Sequence, residues 1–482
     1  MYDLCPKFLP SLINRTSAII FLFLVLVLNF IPIIHFTYAQ QEMPTLTTSQ
    51  GAPNIIKDPS LKVELVSEGL ELPTSIAFLG PDDILVLEKD KGTVQRIVNG
   101  KILPEPLLDV NVANKSERGM LGIAVTKNGT TNNTYVFLYF TESVQDGNDD
   151  CPKNDFCNPG NDPLGNRLYR YELVNDKLNN PKLLLDLPAI SGPAHNGGAI
   201  TIGPDNNVYL PMGELREEYI QKISSADGRG GILRVTQDGE VVVGGGVGGE
   251  GILGNTFPLN LYYAYGIRNS FGIDFDPVTA KLWDTENGPG FGDEINLVEP
   301  GFNSGWNEVQ GMWPRKGGPS EDIILNPDDL LEFGGKSKYS APEFIWGDDI
   351  VGPTALKFLN SDKLGKQYQN DIFVGDVHYG RIYYFDLNED RIGLVLQEPL
   401  DDKVADDDGE TEDIVFGEGF GSISDLEVGP DGYLYVVSIG LGGIYRIVPG
   451  GANGNGGVAV PAEDIDSNIG TAEDDASDDE EG

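Results

Sequence analysis

Three short stretches concentrate the side chains able to do chemistry. Arg268-Asn269-Ser270-Phe271-Gly272 and Glu286-Asn287-Gly288-Pro289-Gly290-Phe291-Gly292-Asp293-Glu294-Ile295-Asn296-Leu297 set an arginine, a Gly-Pro turn and a paired acid close together. A guanidinium presents a planar fork of donors to an anion, while carboxylates and turn carbonyls supply the oxygens that a hard cation takes. His195-Asn196-Gly197-Gly198 adds a group that exchanges a proton near neutral pH. Nineteen residues on, Met212-Gly213-Glu214 offers a carboxylate able to orient the imidazole and stabilise its protonated form. Gly197 and Gly198 are read as leaving room for a planar ligand against the backbone. A lone loop histidine is more often a satisfied structural residue, and His195 stands out because it lies just before an inner strand.

Those strands come from a repeat. Roughly every fifty to eighty residues the chain returns to an apolar strand, a Gly-Pro-Asp or similar turn and a second β-rich strand. The copies begin at Ser75-Ile76-Ala77-Phe78, Leu121-Gly122-Ile123-Ala124, Ala199-Ile200-Thr201-Ile202, Gly272-Ile273-Asp274-Phe275, Ala355-Leu356-Lys357-Phe358 and Asp425-Leu426-Glu427-Val428. Several copies end in matching strands read as outer ones, such as Arg167-Leu168-Tyr169-Arg170-Tyr171 and Gly443-Ile444-Tyr445-Arg446-Ile447. Short strands at a long period, with no helical periodicity, predict an all-β, six-bladed β-propeller of four-stranded antiparallel blades. Lys62-Val63-Glu64-Leu65-Val66 is expected to complete the last blade, joining the two ends of the ring.

Composition sets the boundaries. Lys7 and Arg15 precede an apolar run from Ala18 to Phe36 and small residues up to Ala39, so residues 1–39 read as an export signal. The run is nearly long enough to span a bilayer, which leaves an uncleaved N-terminal anchor as the alternative and the only expected tie to a membrane. Residues 40–60 read as a linker, 61–449 as the propeller, and 450–482 as a Gly-rich then acidic disordered tail. Localisation is therefore expected outside the cytoplasm, extracellular or at the cell surface. Cys151 and Cys157 are expected to close a small loop as a disulfide in that compartment, and the sequons at Asn114, Asn128 and Asn132 agree with an exported surface. A formal net charge of −42 argues against nucleic acid or anionic lipid as partner.

Taken in order over residues 60–448, several motifs carry a resemblance. They are His195-Asn196-Gly197-Gly198, Ile202-Gly203-Pro204-Asp205, Gly266-Ile267-Arg268-Asn269, Gly288-Pro289, Gly292-Asp293-Glu294-Ile295-Asn296-Leu297-Val298 and Gly301-Phe302-Asn303-Ser304-Gly305-Trp306. Together they resemble the soluble glucose/sorbosone (aldose sugar) dehydrogenase family, a six-bladed propeller using pyrroloquinoline quinone and calcium. The resemblance implies oxidation of an aldose at its anomeric carbon by hydride transfer to the quinone, with an external electron acceptor. It makes His195 the general base and Glu214 the residue that orients it, in place of an aspartate. It places Arg268 and Asn269 at the quinone oxygens, and gives the carbonyls of Gly288 and Pro289 to the calcium. Glu294 and Ser304 fall where the family builds a second, structural calcium site. Glu117 stands in place of a glutamine and His378 in place of a lysine, both beside the cofactor. Ser422-Ile423-Ser424 replaces two arginines that meet the quinone carboxylates in relatives, and Arg118 or a protonated His378 would be the substitutes. Two other readings of such a propeller stay open: a non-enzymatic sugar- or ligand-binding module, and a calcium-dependent lactonase.

Overall fold

Strands such as Asp83–Glu88, Thr134–Glu142 and Leu434–Ser438 are apolar along nearly their whole length, and they are buried on both faces. Because side chains alternate across a strand, each sheet can serve two cores at once. Leu85 and Leu87 pack against the next sheet with Val136, Leu138 and Phe140, while Ile84 and Val86 pack the other way with Tyr435, Val437 and Ile444. Phe137 and Tyr139 turn to a third cluster with Val208, Leu210 and Met212. Sheets that need a neighbour on each side are satisfied only by closing into a ring, and the protein is an all-β propeller.

The computed structural model describes residues 54–127, 129, 132–143, 163–190, 192–216, 220–222, 226–243, 251–314, 330–347 and 350–450. The expected leader, the Cys151–Cys157 loop, the sequon at Asn128 and the tail from residue 451 lie outside them. Among the described residues there are six sheets of four to six strands and a two-stranded ribbon, Val309–Gln310 with Trp313–Pro314. The inner strands, one per sheet, are Pro73–Gly80, Met120–Lys127, Thr201–Ile202, Gly272–Phe275, Pro353–Phe358 and Ile423–Val428.

Side chains of neighbouring sheets tie these strands together around the ring. The Thr74 hydroxyl donates to the Met120 carbonyl at 2.8 Å, and the Tyr139 hydroxyl to that of Asn196 at 3.0 Å. Tyr209 meets the edge of Phe275 with centroids 4.9 Å apart. Lys357 Nζ lies 3.5 Å from Asp274 and 3.0 Å from Glu427, bridging three sheets. Asp425 closes the circuit by accepting from the Ser75 hydroxyl and the Ile76 amide. As the sequence suggests, Leu61–Glu68 pairs antiparallel with Gly443–Pro449, so opposite ends of the chain share one sheet.

The expectation of four strands per blade needs correction. Two sheets have four strands; the others are extended by short pairings, some of them parallel, such as Phe302–Asn303 beside Lys338–Tyr339 and Phe344–Trp346 beside Val404–Ala405. Long connections run back along the outer edge and cover it, which a repeat pattern cannot reveal. The strands read as outer ones are third strands: Gly443–Pro449 pairs with Leu434–Ser438 on one side and Leu61–Glu68 on the other. Ile55–Ile56, inside the stretch read as a linker, pairs with Val415–Glu418.

Burial, with Glu427 beside it, pushes the Asp425 carboxyl up to about 8. A carboxyl raised above its unfolded value contributes stability that is present below about pH 4 and is lost as pH rises through the folded value. Both hydrogen bonds end on one Asp425 oxygen, which an asparagine can imitate. Asp425→Asn should therefore gain stability over the parent as pH rises from 5 to 8, read as a widening difference in melting temperature.

Candidate active site

Apart from Glu294, inside Asp293–Val298, and Ser304, after Phe302–Asn303, the candidate residues lie either just before an inner strand or just after the strand that follows it. Glu117 precedes Met120–Lys127, His195 precedes Thr201–Ile202, and Arg268 and Asn269 precede Gly272–Phe275. Glu214 follows Val208–Met212, Gly288 and Pro289 follow Leu282–Glu286, and His378 follows Ile372–Asp376. Antiparallel neighbours bring those two kinds of end to the same rim.

His195 is buried, with φ of +62°. A non-glycine residue in that region costs about 1–2 kcal/mol, so the surroundings must hold it there. Both oxygens of Glu214 lie within hydrogen-bond distance of Nδ1, at 2.6 and 2.8 Å. This pairing puts the proton on Nδ1 in the neutral ring and leaves Nε2 with no described partner. Glu214 is itself held by the Arg216 amide. Gly213 lies beneath, where a Cβ would collide with the His195 carbonyl and sit 2.7 Å from that of Arg268.

Arg268 is buried amid Glu214, Glu117, Asp293 and Glu286. Burial lowers its affinity for the proton and those four carboxylates restore part of it. Its Nη1 donates to the Asn287 carbonyl at 2.5 Å, its guanidinium lies 5.3 Å from the Trp306 ring centroid, and its Nε has no partner. A buried orphan donor on a charged group at a rim is a place for an anionic or carbonyl oxygen.

The Gly288-Pro289 turn is shaped by Asp293, a role the sequence reading did not assign. Its carboxylate accepts the Gly288 amide at 2.6 Å and the Gly352 amide at 2.7 Å. No described donor reaches the carbonyls of Gly288 or Pro289, which stay available as a pair of oxygens. Glu294 and Ser304 are committed to different partners: Glu294 accepts from Gln310 Nε2 at 2.6 Å and the Gly311 amide at 3.2 Å, and the Ser304 hydroxyl donates to Glu286 at 2.6 Å. Among the described residues no three His, Cys, Asp or Glu side chains are placed to share a metal. Burial pushes Asp284 up to about 7, and Asp284 together with burial raises Glu286 in turn. Acids at alternating positions of a strand otherwise expected to be apolar were the available signal for this column.

Several expectations change on contact with the structure. Gly197 and Gly198 make room for protein, since a Cβ would meet the Pro211 carbonyl at 2.5 Å in one and Leu121 at 2.8 Å in the other. The Arg118 guanidinium bonds the carbonyls of Ala189 and Gly192, so its reach goes to that loop. His378 is exposed and pairs through Nδ1 with the Ile350 carbonyl at 2.9 Å. The Ser424 hydroxyl donates to the Pro73 carbonyl at 2.8 Å. Glu117 accepts from the His195 amide and from Asn269, whose own oxygen accepts from Gly197.

The family model for glucose/sorbosone dehydrogenases matches residues 70–446. The chain belongs to this glucose/sorbosone dehydrogenase family. An aldose sugar dehydrogenase of Escherichia coli strain K12 is 24% identical over 385 residues, covering 79% of this chain and 90% of its own. The quinoprotein glucose dehydrogenase B of Acinetobacter calcoaceticus is 28% identical over 370 residues, covering 69% and 71%. The PQQ-bound form of an aldose sugar dehydrogenase from Streptomyces coelicolor superposes with a TM-score of 0.57 at 22% identity, covering 82% of this chain and 99% of its own, which shows the shared fold.

For this member of the glucose/sorbosone dehydrogenase family, Gly213→Ala is expected to push His195 and Arg268 apart. Overpacking of this kind costs about 1–3 kcal/mol, and the expected outcome is a lower melting temperature together with a changed His195 ring resonance.

Proposed function

We propose that the protein is an exported, six-bladed aldose dehydrogenase in which His195 takes the proton of the sugar's anomeric hydroxyl. The carrying observation is the His195–Glu214 pair, with Nδ1 saturated and Nε2 without a partner among the described residues. Pyrroloquinoline quinone, when bound, supplies the hydride acceptor. The orphan Nε of Arg268 suits a quinone oxygen, and the free carbonyls of Gly288 and Pro289 suit a bridging calcium. Glu214 keeps the ring oriented and steadies the positive charge that develops as the proton arrives. Trp306 keeps the guanidinium in place by lying beneath it. Family membership and the relatives' activities support the reading.

One observation favours the non-enzymatic alternative. Ser422 and Ser424 bring no positive charge to the end of the site where cofactor carboxylates would lie, and Arg118 is occupied elsewhere. A single experiment separates the readings: purified protein with pyrroloquinoline quinone and calcium, assayed for aldose-dependent reduction of an electron-acceptor dye. Turnover is expected. Its absence across a panel of aldoses, with no quinone bound, would leave a binding propeller.

Two further outcomes are expected. His195→Ala should reduce turnover by about 10²–10⁴-fold while leaving quinone affinity within a few-fold, whereas Arg268→Ala should weaken both. Calcium should raise the melting temperature and chelator should lower it, because a ligand of the folded state alone stabilises that state. Identical melting curves would argue against the metal.

A further inference from the structure

Glu117 and Asn269 stand where the family resemblance puts contacts to the quinone, yet their hydrogen bonds run to protein. Glu117 Oε2 accepts the His195 amide at 2.6 Å and Asn269 Nδ2 at 3.1 Å. Asn269 Oδ1 accepts the Gly197 amide at 3.2 Å. The two side chains thus form one bridge, from the amide before the His195 ring to the amide two residues later. They reach the strap from different loops, one before Met120–Lys127 and one before Gly272–Phe275.

The strap between the two grips is the strained part. His195 has φ of +62° and Gly197 of +60°, and the amides of both are taken by side chains, those of Glu117 and Asn269. Asn196 is secured from behind: its carbonyl accepts from Tyr139, and its Oδ1 from Asn166 at 3.1 Å. Asn166 is in turn oriented by the Thr141 hydroxyl at 2.6 Å. With the buried side of the strap fixed by Asn166 and Tyr139, and the His195 ring by Glu214, the Glu117–Asn269 bridge takes the amides at its two ends.

We propose that Glu117 and Asn269 are positioning residues that clasp the His195–Gly197 strap in its left-handed conformation. The turnover part of the test rests on the aldose-oxidation reading; the spectroscopic part does not. Both bonds to Glu117 end on a single oxygen, so the Oε1 of a glutamine can accept both, while alanine accepts neither.

The test uses the full chain with Glu117→Gln, Glu117→Ala and Asn269→Ala. The protein has three histidines, so the His195 ring resonances can be assigned without cofactor by comparison with His195→Ala and His378→Ala. Glu117→Ala and Asn269→Ala should each shift and broaden the His195 signals, and Glu117→Gln should restore them. In the loaded enzyme, Glu117→Ala should lower kcat by about 10–100-fold, as expected for a misplaced catalytic group, with quinone Kd and sugar KM within about threefold. Glu117→Gln should recover most of that loss. Unchanged His195 resonances in Glu117→Ala would overturn the proposal, as would a loss confined to quinone Kd. If the parent shows no dehydrogenase activity, the resonances of the three variants still decide between a clasp and a ligand contact.

Discussion

Closure of the ring is the constraint on which the rest depends. Leu61–Glu68 pairs with Gly443–Pro449, and without that pairing the sheet containing Ile423–Val428 would lose its outer strand. Each sheet is apolar on both faces, so opening one seam would expose the two apolar faces that meet there. The same closure brings the starts of the inner strands together. Glu117, His195 and Arg268 come from three separate connections, and only the ring makes them neighbours.

Electrostatics at the rim are asymmetric. Arg268 is surrounded by Glu214, Glu117, Asp293 and Glu286, and behind it Asp284, Glu286 and Glu294 occupy one buried column. Burial raises the carboxyls of that column, and each neighbour of like charge raises them further. Isolated buried charge is costly, and in this column the oxygens of Glu286 and Glu294 are taken up by an amide, a hydroxyl and the Gln310 side chain, while both oxygens of Asp284 are buried without a hydrogen-bond partner. Its effect on the site is indirect: Glu286 fixes the backbone of Arg268, and Asp293 fixes the Gly288-Pro289 turn. Acids that look catalytic in a list of residues act here as scaffolding for main chain.

Membership of the glucose/sorbosone dehydrogenase family accounts for the order of the motifs, and the departures are physically local. Where the resemblance implies an orienting aspartate, Glu214 is longer by a methylene, and both its oxygens reach Nδ1. Where the resemblance implies a glutamine, Glu117 accepts from two N–H donors. The serines near the last inner strand bring no charge, and the Ser424 hydroxyl is directed at the carbonyls of Pro73 and Val437.

The sequence by itself determined the all-β propeller class and pointed to His195, Glu214 and Arg268, which the structure brings to one rim. A repeated, largely apolar strand-turn-strand phrase requires sheets with neighbours on both sides, and Lys62-Val63-Glu64-Leu65-Val66 is legible as the closing strand because a ring is closed by pairing the two ends of its chain. His195 with Glu214, and Arg268 beside the Gly-Pro turn, were legible because residue type and position at strand ends already restrict what they can do. Tertiary structure alone decided how each donor is used. Gly197 and Gly198 could have admitted a ligand, but Pro211 and Leu121 occupy that space; Arg118 could have faced the site, but the carbonyls of Ala189 and Gly192 take it. The added edge strands and the Glu117–Asn269 bridge were hidden for the same reason. A hydrogen bond is decided by distances of a few tenths of an ångström between segments far apart in the chain, and no local pattern encodes such distances.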